Sequence, residues 1–133
     1  MQTIRIAHNV EMAHRLTETD GKCQQIHGHS WGVTLEIGGD VDNTGKLGGL
    51  EFSQAKKQFR GFLDGNFDHK LLLNEGDNWA RYKLPGLQTM EGDPTTENFA
   101  KIVGQWARTE FGLSYQYRTI VWETKTNCAT WEG

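Results

Sequence analysis

Cys23-Gln24-Gln25-Ile26-His27-Gly28-His29-Ser30-Trp31-Gly32-Val33-Thr34-Leu35-Glu36-Ile37 is the stretch from which the fold is read. His27, His29, Trp31, Val33, Leu35 and Ile37 all stand at odd positions. Residues of a strand alternate between faces, so these side chains share one face. Two imidazoles therefore lead into an apolar stripe, with backbones roughly 6.5–7 Å apart. Upstream, Ile4, Ile6, His8, Val10, Met12 and His14 occupy even positions and make one face of another strand. The link from Arg15 to Ile26 is short enough for the two strands to pair antiparallel. That pairing brings His14 opposite His27 and His29.

Neutral imidazole is a good zinc ligand, and three protein ligands leave a fourth position open for water or substrate. Gly28 lets the backbone come close between the two histidines. The bland alternative is a set of hydrogen-bonded core histidines. Cys23 leaves two further readings: it completes a closed structural site, or it stands outside the metal as a base.

The remaining chain is read outward from this pair. Residues 3–14 are the first strand, 15–26 a polar loop and 27–38 the second strand. A turn-rich connection runs from Gly38 to Lys46. Phe52, Ala55, Phe59, Phe62 and Leu63 recur at helical spacing and predict a helix over 52–64. Ser53 could cap it, although Lys56 rules out a capping box. Residues 75–93 read as a long polar loop, of the kind that is functional or mobile. A second helix starts near Thr95 or Thr96, with Glu97 suited to its positive end. Its buried stripe is Phe99, Ile102, Val103, Trp106, Ala107 and Phe111. Tyr117 to Thr124 is a third strand, and Cys128 to Trp131 a short fourth. The order β-β-α-α-β-β predicts an α+β domain spanning 1–133, with two helices on one face of a four-stranded antiparallel sheet. Its two open edges invite pairing with further copies, hence a symmetric oligomer.

Composition narrows the function. With 133 residues, net charge −3 and pI near 5.9, nothing points to nucleic acid as a partner. No apolar run approaches the ~20 residues of a membrane span, and Met1-Gln2-Thr3-Ile4-Arg5 is not read as a signal peptide. Two cysteines make no disulfide framework, so a reducing cytoplasm is expected. Several further positions draw interest. Asp68-His69 pairs an acid with an imidazole, which can move protons near neutral pH or simply form a turn. Glu123 interrupts an apolar strand, facing either solvent or a cleft. His8 lies about 20 Å along the strand from His14 and reads as a core or interface histidine. Cys128 reads as plain packing.

Taken together, Ala13-His14-Arg15-Leu16, Cys23-x-x-x-His27-Gly28-His29, Phe67-Asp68-His69, Leu73-Asn74, Pro94-Thr95-Thr96-Glu97-Asn98 and Trp122-Glu123-Thr124 resemble the 6-pyruvoyl-tetrahydropterin synthase family. The three residues between Cys23 and His27 look like its bacterial 6-carboxy-tetrahydropterin synthase branch, of the queuosine pathway. The resemblance implies the T-fold, with trimeric barrels stacked into a homohexamer and active sites between subunits. It implies one Zn2+ per subunit on His14, His27 and His29. Cys23 would be the base, with Asp68 and His69 relaying protons. Glu123 would anchor the amino-pyrimidine edge of a pterin, with Thr95, Thr96 or Glu97 lining the same pocket. The substrate would be 7,8-dihydroneopterin triphosphate, whose phosphates Mg2+ could accompany. Lys22, Arg15 and Lys70 are candidates to meet them. Rival readings are triphosphate elimination alone, a zinc-stabilised binding module without chemistry, and a hydrolase using zinc-bound water. Departures from the family pattern are Trp31 for a smaller aromatic, Glu51 for aspartate, Phe67 for leucine, and a longer 75–93 segment.

Overall fold

A computed structural model describes residues 1–133. Strands β1 (Gln2–His14) and β2 (His27–Gly39) pair antiparallel along their whole length, from Gln2 opposite Gly39 to His14 opposite His27. The parity reading holds. Ile6, Val10, Met12 and His14 of β1 are buried, as are Trp31, Val33, Leu35 and Ile37 of β2. They face helices α1 (Phe52–Asn66) and α2 (Thr96–Phe111), which cover one side of the sheet. Ala55, Phe59 and Leu63 of α1, and Phe99, Ala100, Val103 and Ala107 of α2, complete one continuous core. Trp106 stacks on Phe62 at 4.3 Å between ring centroids and joins the two helices. Ile102, Trp106 and Phe111 lie half-buried at the rim of the expected stripe.

The sheet has six strands, not four. β3 (Lys70–Asn74) runs parallel to β1, and β4 (Leu87–Met90) runs parallel to β3. β5 (Gln116–Trp122) lies antiparallel to β2, and β6 (Cys128–Glu132) antiparallel to β5. The spatial order is β4-β3-β1-β2-β5-β6. β4 comes from the segment read as a loop, and β3 from a stretch to which no element was assigned. β3 offers a four-residue apolar and lysine run without alternation, because both Leu72 and Leu73 are buried. Segment 75–93 is built of a short 3-10 helix (Asn78–Tyr82) followed by β4. β5 stops at Trp122, one residue before Glu123.

Other expectations need adjustment. Glu51, not Ser53, occupies the N-cap of α1 and makes no side-chain cap, and the helix runs two residues past Asp64. Phe52 is 52 % exposed, so it lies off the buried stripe. Cys128 is exposed rather than packed, because β6 is an edge strand with one face open. His8 is tied to α1 by a 2.7 Å contact between its Nε2 and Asp64 Oδ1. Phe67 fills core space between Phe62 and Phe99, which accounts for a large aromatic there.

The helix-free face carries a charge ladder. Arg5, Glu36, Arg118 and Glu132 stand in register across β1, β2, β5 and β6. Arg5 donates to Glu36, whose other oxygen lies 3.6 Å from Arg118. Alternating sign offsets the cost of burying Glu36.

Candidate metal centre

The full-length β1–β2 register delivers three imidazoles to one spot. His14 sits opposite His27, and His29 is opposite Met12, two residues further along the same face. The candidate ligand nitrogens of His14, His27 and His29 all lie within 4.8 Å of one another. Ring centroids are 4.6 Å (His14–His27), 5.2 Å (His14–His29) and 5.0 Å (His27–His29) apart. Trp31 forms the floor, edge-on to His14 at 4.9 Å and to His29 at 5.3 Å. Its Nε1–H donates to the Met12 carbonyl at 3.0 Å, which fixes the indole.

Backbone carbonyls set the tautomers. His14 Nδ1–H donates to Pro94 O and His27 Nδ1–H to Gln25 O, each at 2.7 Å. A carbonyl can only accept, so Nδ1 carries the proton and Nε2 presents a lone pair. The Nε2 atoms of His14 and His29 are buried with no hydrogen-bond partner. A buried polar atom left unpaired costs about 1–3 kcal/mol, so two in one cluster mark a place for a ligand. Burial holds both groups below the ordinary histidine value; for His14 the Pro94 carbonyl opposes this shift, and for His29 the Glu123 carboxylate does. The neutral form that a metal requires is thus favoured. Three imidazole nitrogen donors without a thiolate fit a zinc ion with an open corner.

Glu123 borders the histidine cluster. Its Oε2 is 3.7 Å from His14 Nε2 and its Oε1 is 4.0 Å from His29 Nε2, beyond hydrogen-bond reach. Thr96 Oγ1–H donates to Oε2 at 2.9 Å, and Asn127 Nδ2–H to Oε1 at 3.3 Å. The carboxylate is thereby oriented at the start of α2. With His29, Ser30, Gly32, Trp122 and Lys125 it lines a groove of about 560 Å³.

The other candidates stand apart from this cluster. Cys23 is exposed, in a short 3-10 turn (Gly21–Gln24) of the β1–β2 loop, and is not among the clustered groups. Asp68 Oδ2 accepts from His69 Nδ1 at 2.8 Å. The pair is pinned near the C-terminal end of β1: Glu11 N–H donates to Asp68 Oδ1 at 2.8 Å, and His69 N–H to Glu11 O at 2.6 Å. His69 takes φ 60°, a left-handed conformation unusual for a residue with a Cβ. Donation from Glu11 N–H holds the Asp68 carboxyl below its ordinary value, against the opposing effect of burial and with the help of the hydrogen bond from His69. Thr95 caps α2, accepting from Asn98 N–H at 3.1 Å, and Glu97 is exposed in the first turn. Pro94, Gln25 and Asn127 act on the site in roles that the sequence reading did not assign them. Two act through backbone carbonyls, which every residue has, and Asn127 lies between β5 and β6 outside any motif.

A two-helix, six-stranded α+β fold with three convergent imidazoles at one end of its central hairpin defines a class of protein with a ready-made cation site. The sequence model of the family described as 6-pyruvoyl tetrahydropterin synthase matches residues 3–133, and the chain belongs to that family. Curated relatives named 6-carboxy-5,6,7,8-tetrahydropterin synthase include one from Rickettsia bellii, 34 % identical over 96 residues and covering 68 % of each chain. Another, from Haemophilus influenzae, is 30 % identical over 126 residues, 88 % of this chain and 89 % of that one. Among solved structures, the 6-pyruvoyl tetrahydropterin synthase of Plasmodium vivax superposes with a TM-score of 0.79 at 16 % identity, over 100 % of this chain and 99 % of that one. That of Caenorhabditis elegans gives 0.73 at 22 % identity, covering 99 % and 95 %. These structural matches establish a shared fold.

Proposed function

We propose that the protein is a zinc-dependent lyase that converts 7,8-dihydroneopterin triphosphate to 6-carboxy-5,6,7,8-tetrahydropterin, acetaldehyde and triphosphate, a step toward 7-deazaguanine (queuosine) precursors. The observation that carries this reading is the pair of buried, unpartnered Nε2 atoms of His14 and His29 beside His27. The names of the curated relatives support the carboxy branch. Zinc bound there would supply Lewis acidity to the hydroxyls of the substrate side chain.

The chain's own groups do the rest. Glu123, steered by Thr96 and Asn127, accepts hydrogen bonds from the amino-pyrimidine edge of the pterin. Cys23 as thiolate removes a proton from side-chain carbon, and Asp68–His69 relays protons. The left-handed backbone at His69 and its two ties to Glu11 hold the pair rigid, as a relay requires. Electrons released by proton removal reduce the ring, so no external redox cofactor is needed. Triphosphate then leaves by elimination, water adds to the side-chain carbonyl carbon next to the ring, and carbon–carbon cleavage leaves the carboxylate there and releases acetaldehyde. Mg2+ accompanies the triphosphate.

Within one chain Asp68–His69 makes no hydrogen bond to the three histidines or to Cys23. This supports sites shared between subunits, in a homohexamer built through the edge strands β4 and β6. Both cysteines are free, in keeping with work in a reducing cytoplasm. No helix is long and apolar enough to cross a membrane.

Incubation of the zinc-loaded protein with dihydroneopterin triphosphate tests the reading, with products followed by mass spectrometry. Acetaldehyde and the 6-carboxy product are expected in equal amounts. A 6-pyruvoyl product without acetaldehyde would assign the chain to triphosphate elimination alone. No turnover by fully loaded protein would leave a binding module.

A further inference from the structure

Segment 74–93 reaches back to the loop that carries Cys23 and grips it at both ends. At one end, Asp93 is 8 % exposed and accepts four hydrogen bonds. Thr17 N–H donates to it at 2.8 Å, Glu18 N–H at 2.9 Å, Thr17 Oγ1–H at 2.6 Å and Asn74 Nδ2–H at 3.1 Å. At the other end, the Asp77 carboxylate is fully enclosed and accepts from Arg15 Nε at 2.7 Å. Arg15 Nη1 then donates to Gln24 O at 3.3 Å, the residue next to Cys23. Inside the loop, Leu16 N–H donates to Cys23 O at 2.8 Å. Asp77 is itself fixed, since its other oxygen accepts from Trp79 N–H at 2.9 Å.

Two buried carboxylates are costly to keep unless their geometry matters. Neither touches the histidine cluster directly. Both spend their oxygens on the Cys23 loop or on holding themselves toward it. Asp93 is followed by Pro94, whose carbonyl orients His14. The same strand of chain therefore sets the imidazole and the thiol loop relative to one another.

We propose that Asp93 and Asp77, the latter through Arg15, are positioning residues that hold Cys23 in register with the metal site. Segment 75–93 is then a strap for the catalytic loop. This rests on the reading of Cys23 as the base, and the test separates the two.

The test uses zinc-loaded protein in a Cys128→Ser background, so that only one exposed thiol reports. Asp93→Ala is compared with Asp93→Asn, Asp77→Asn and Cys23→Ala. Hydrogen exchange over residues 15–25, the alkylation rate of Cys23 by iodoacetamide across pH, metal content, and kcat against KM are measured. For Asp93→Ala, kcat is expected to fall about 10- to 100-fold with KM and zinc content unchanged, the range for a misplaced catalytic group. Exchange over 15–25 rises at least roughly tenfold, and the alkylation profile changes. Asp93→Asn keeps one acceptor for the Thr17 and Glu18 amides and recovers part of kcat. Asp77→Asn acts in the same direction, so the proposal survives if Asp93→Ala fails to fold. Wild-type kcat and exchange in the Asp93 and Asp77 variants, with Cys23→Ala inactive, would overturn the strap alone. Full turnover by Cys23→Ala would overturn the base assignment, and the positioning role with it.

Discussion

His14, His27 and His29 stand on two paired strands, and the pairing register brings their rings within 4.6–5.2 Å of each other. Cys23, Asp68 and His69 stand in loops, more exposed, and are held by hydrogen bonds from distant segments. Cation binding needs several donors converging on a point, which a rigid hairpin supplies cheaply. Proton transfer needs access and a substrate between the groups, which a preformed closed cluster would prevent. The two regions should therefore fail separately.

The sharpest break in that contrast is His27→Ala. Losing a ligand is expected to cost more than the roughly 10–100-fold in metal affinity of an outer-shell change. Turnover should vanish with the metal, and elemental analysis after dialysis measures it. Cys23→Ala should do the reverse. Zinc stays bound while kcat falls by about 10²–10⁴-fold, the usual worth of a positioned acid–base group. A mass-spectrometric turnover assay beside a metal assay reads both.

A scaffold change should disturb neither region selectively. Gly104 makes a slot in α2 for Trp131; a Cβ there would lie 2.0 Å from Trp131 Cε3. Gly104→Ala must push the indole off the helix, at about 1–3 kcal/mol of stability. Denaturant unfolding should show that loss while zinc content stays whole.

The smallest effect is a pH dependence. Burial pushes the Asp93 carboxyl up, yet donation from Thr17, Glu18 and Asn74 outweighs it and leaves the group below its ordinary value of 3.8. A depressed folded value means that the unfolded chain binds more protons in that range. The stabilisation is present above pH 3.8 and fades as pH falls through the folded value. The stability gap between wild type and Asp93→Asn should therefore narrow on acidification below that point. A constant gap would mean that the charge at Asp93 is not what holds the loop.

This contrast also explains what could be read in advance. Parity gave both central strands, their shared apolar face and the meeting of His14 with His27 and His29, because strand alternation is a local rule. Helix periods gave α1 and α2 to within a few residues. β3 escaped because it pairs in parallel with β1, far upstream, and β4 because it pairs only with β3. A short run such as Leu87-Gln88-Thr89-Met90 shows no alternation of its own. Pro94 and Gln25 steer two of the imidazoles through carbonyls that no side chain advertises. The buried roles of Asp77 and Asp93 depend on a loop 60 to 80 residues upstream, and sequence spacing alone does not connect them.

X-ray absorption at the zinc edge of the purified, substrate-free protein tests the central claim most directly. Three imidazole nitrogens and a light oxygen donor at about 2.0–2.1 Å, with no sulfur shell, are predicted. A sulfur scatterer near ~2.3 Å would put Cys23 on the metal, close the open corner and contradict the account.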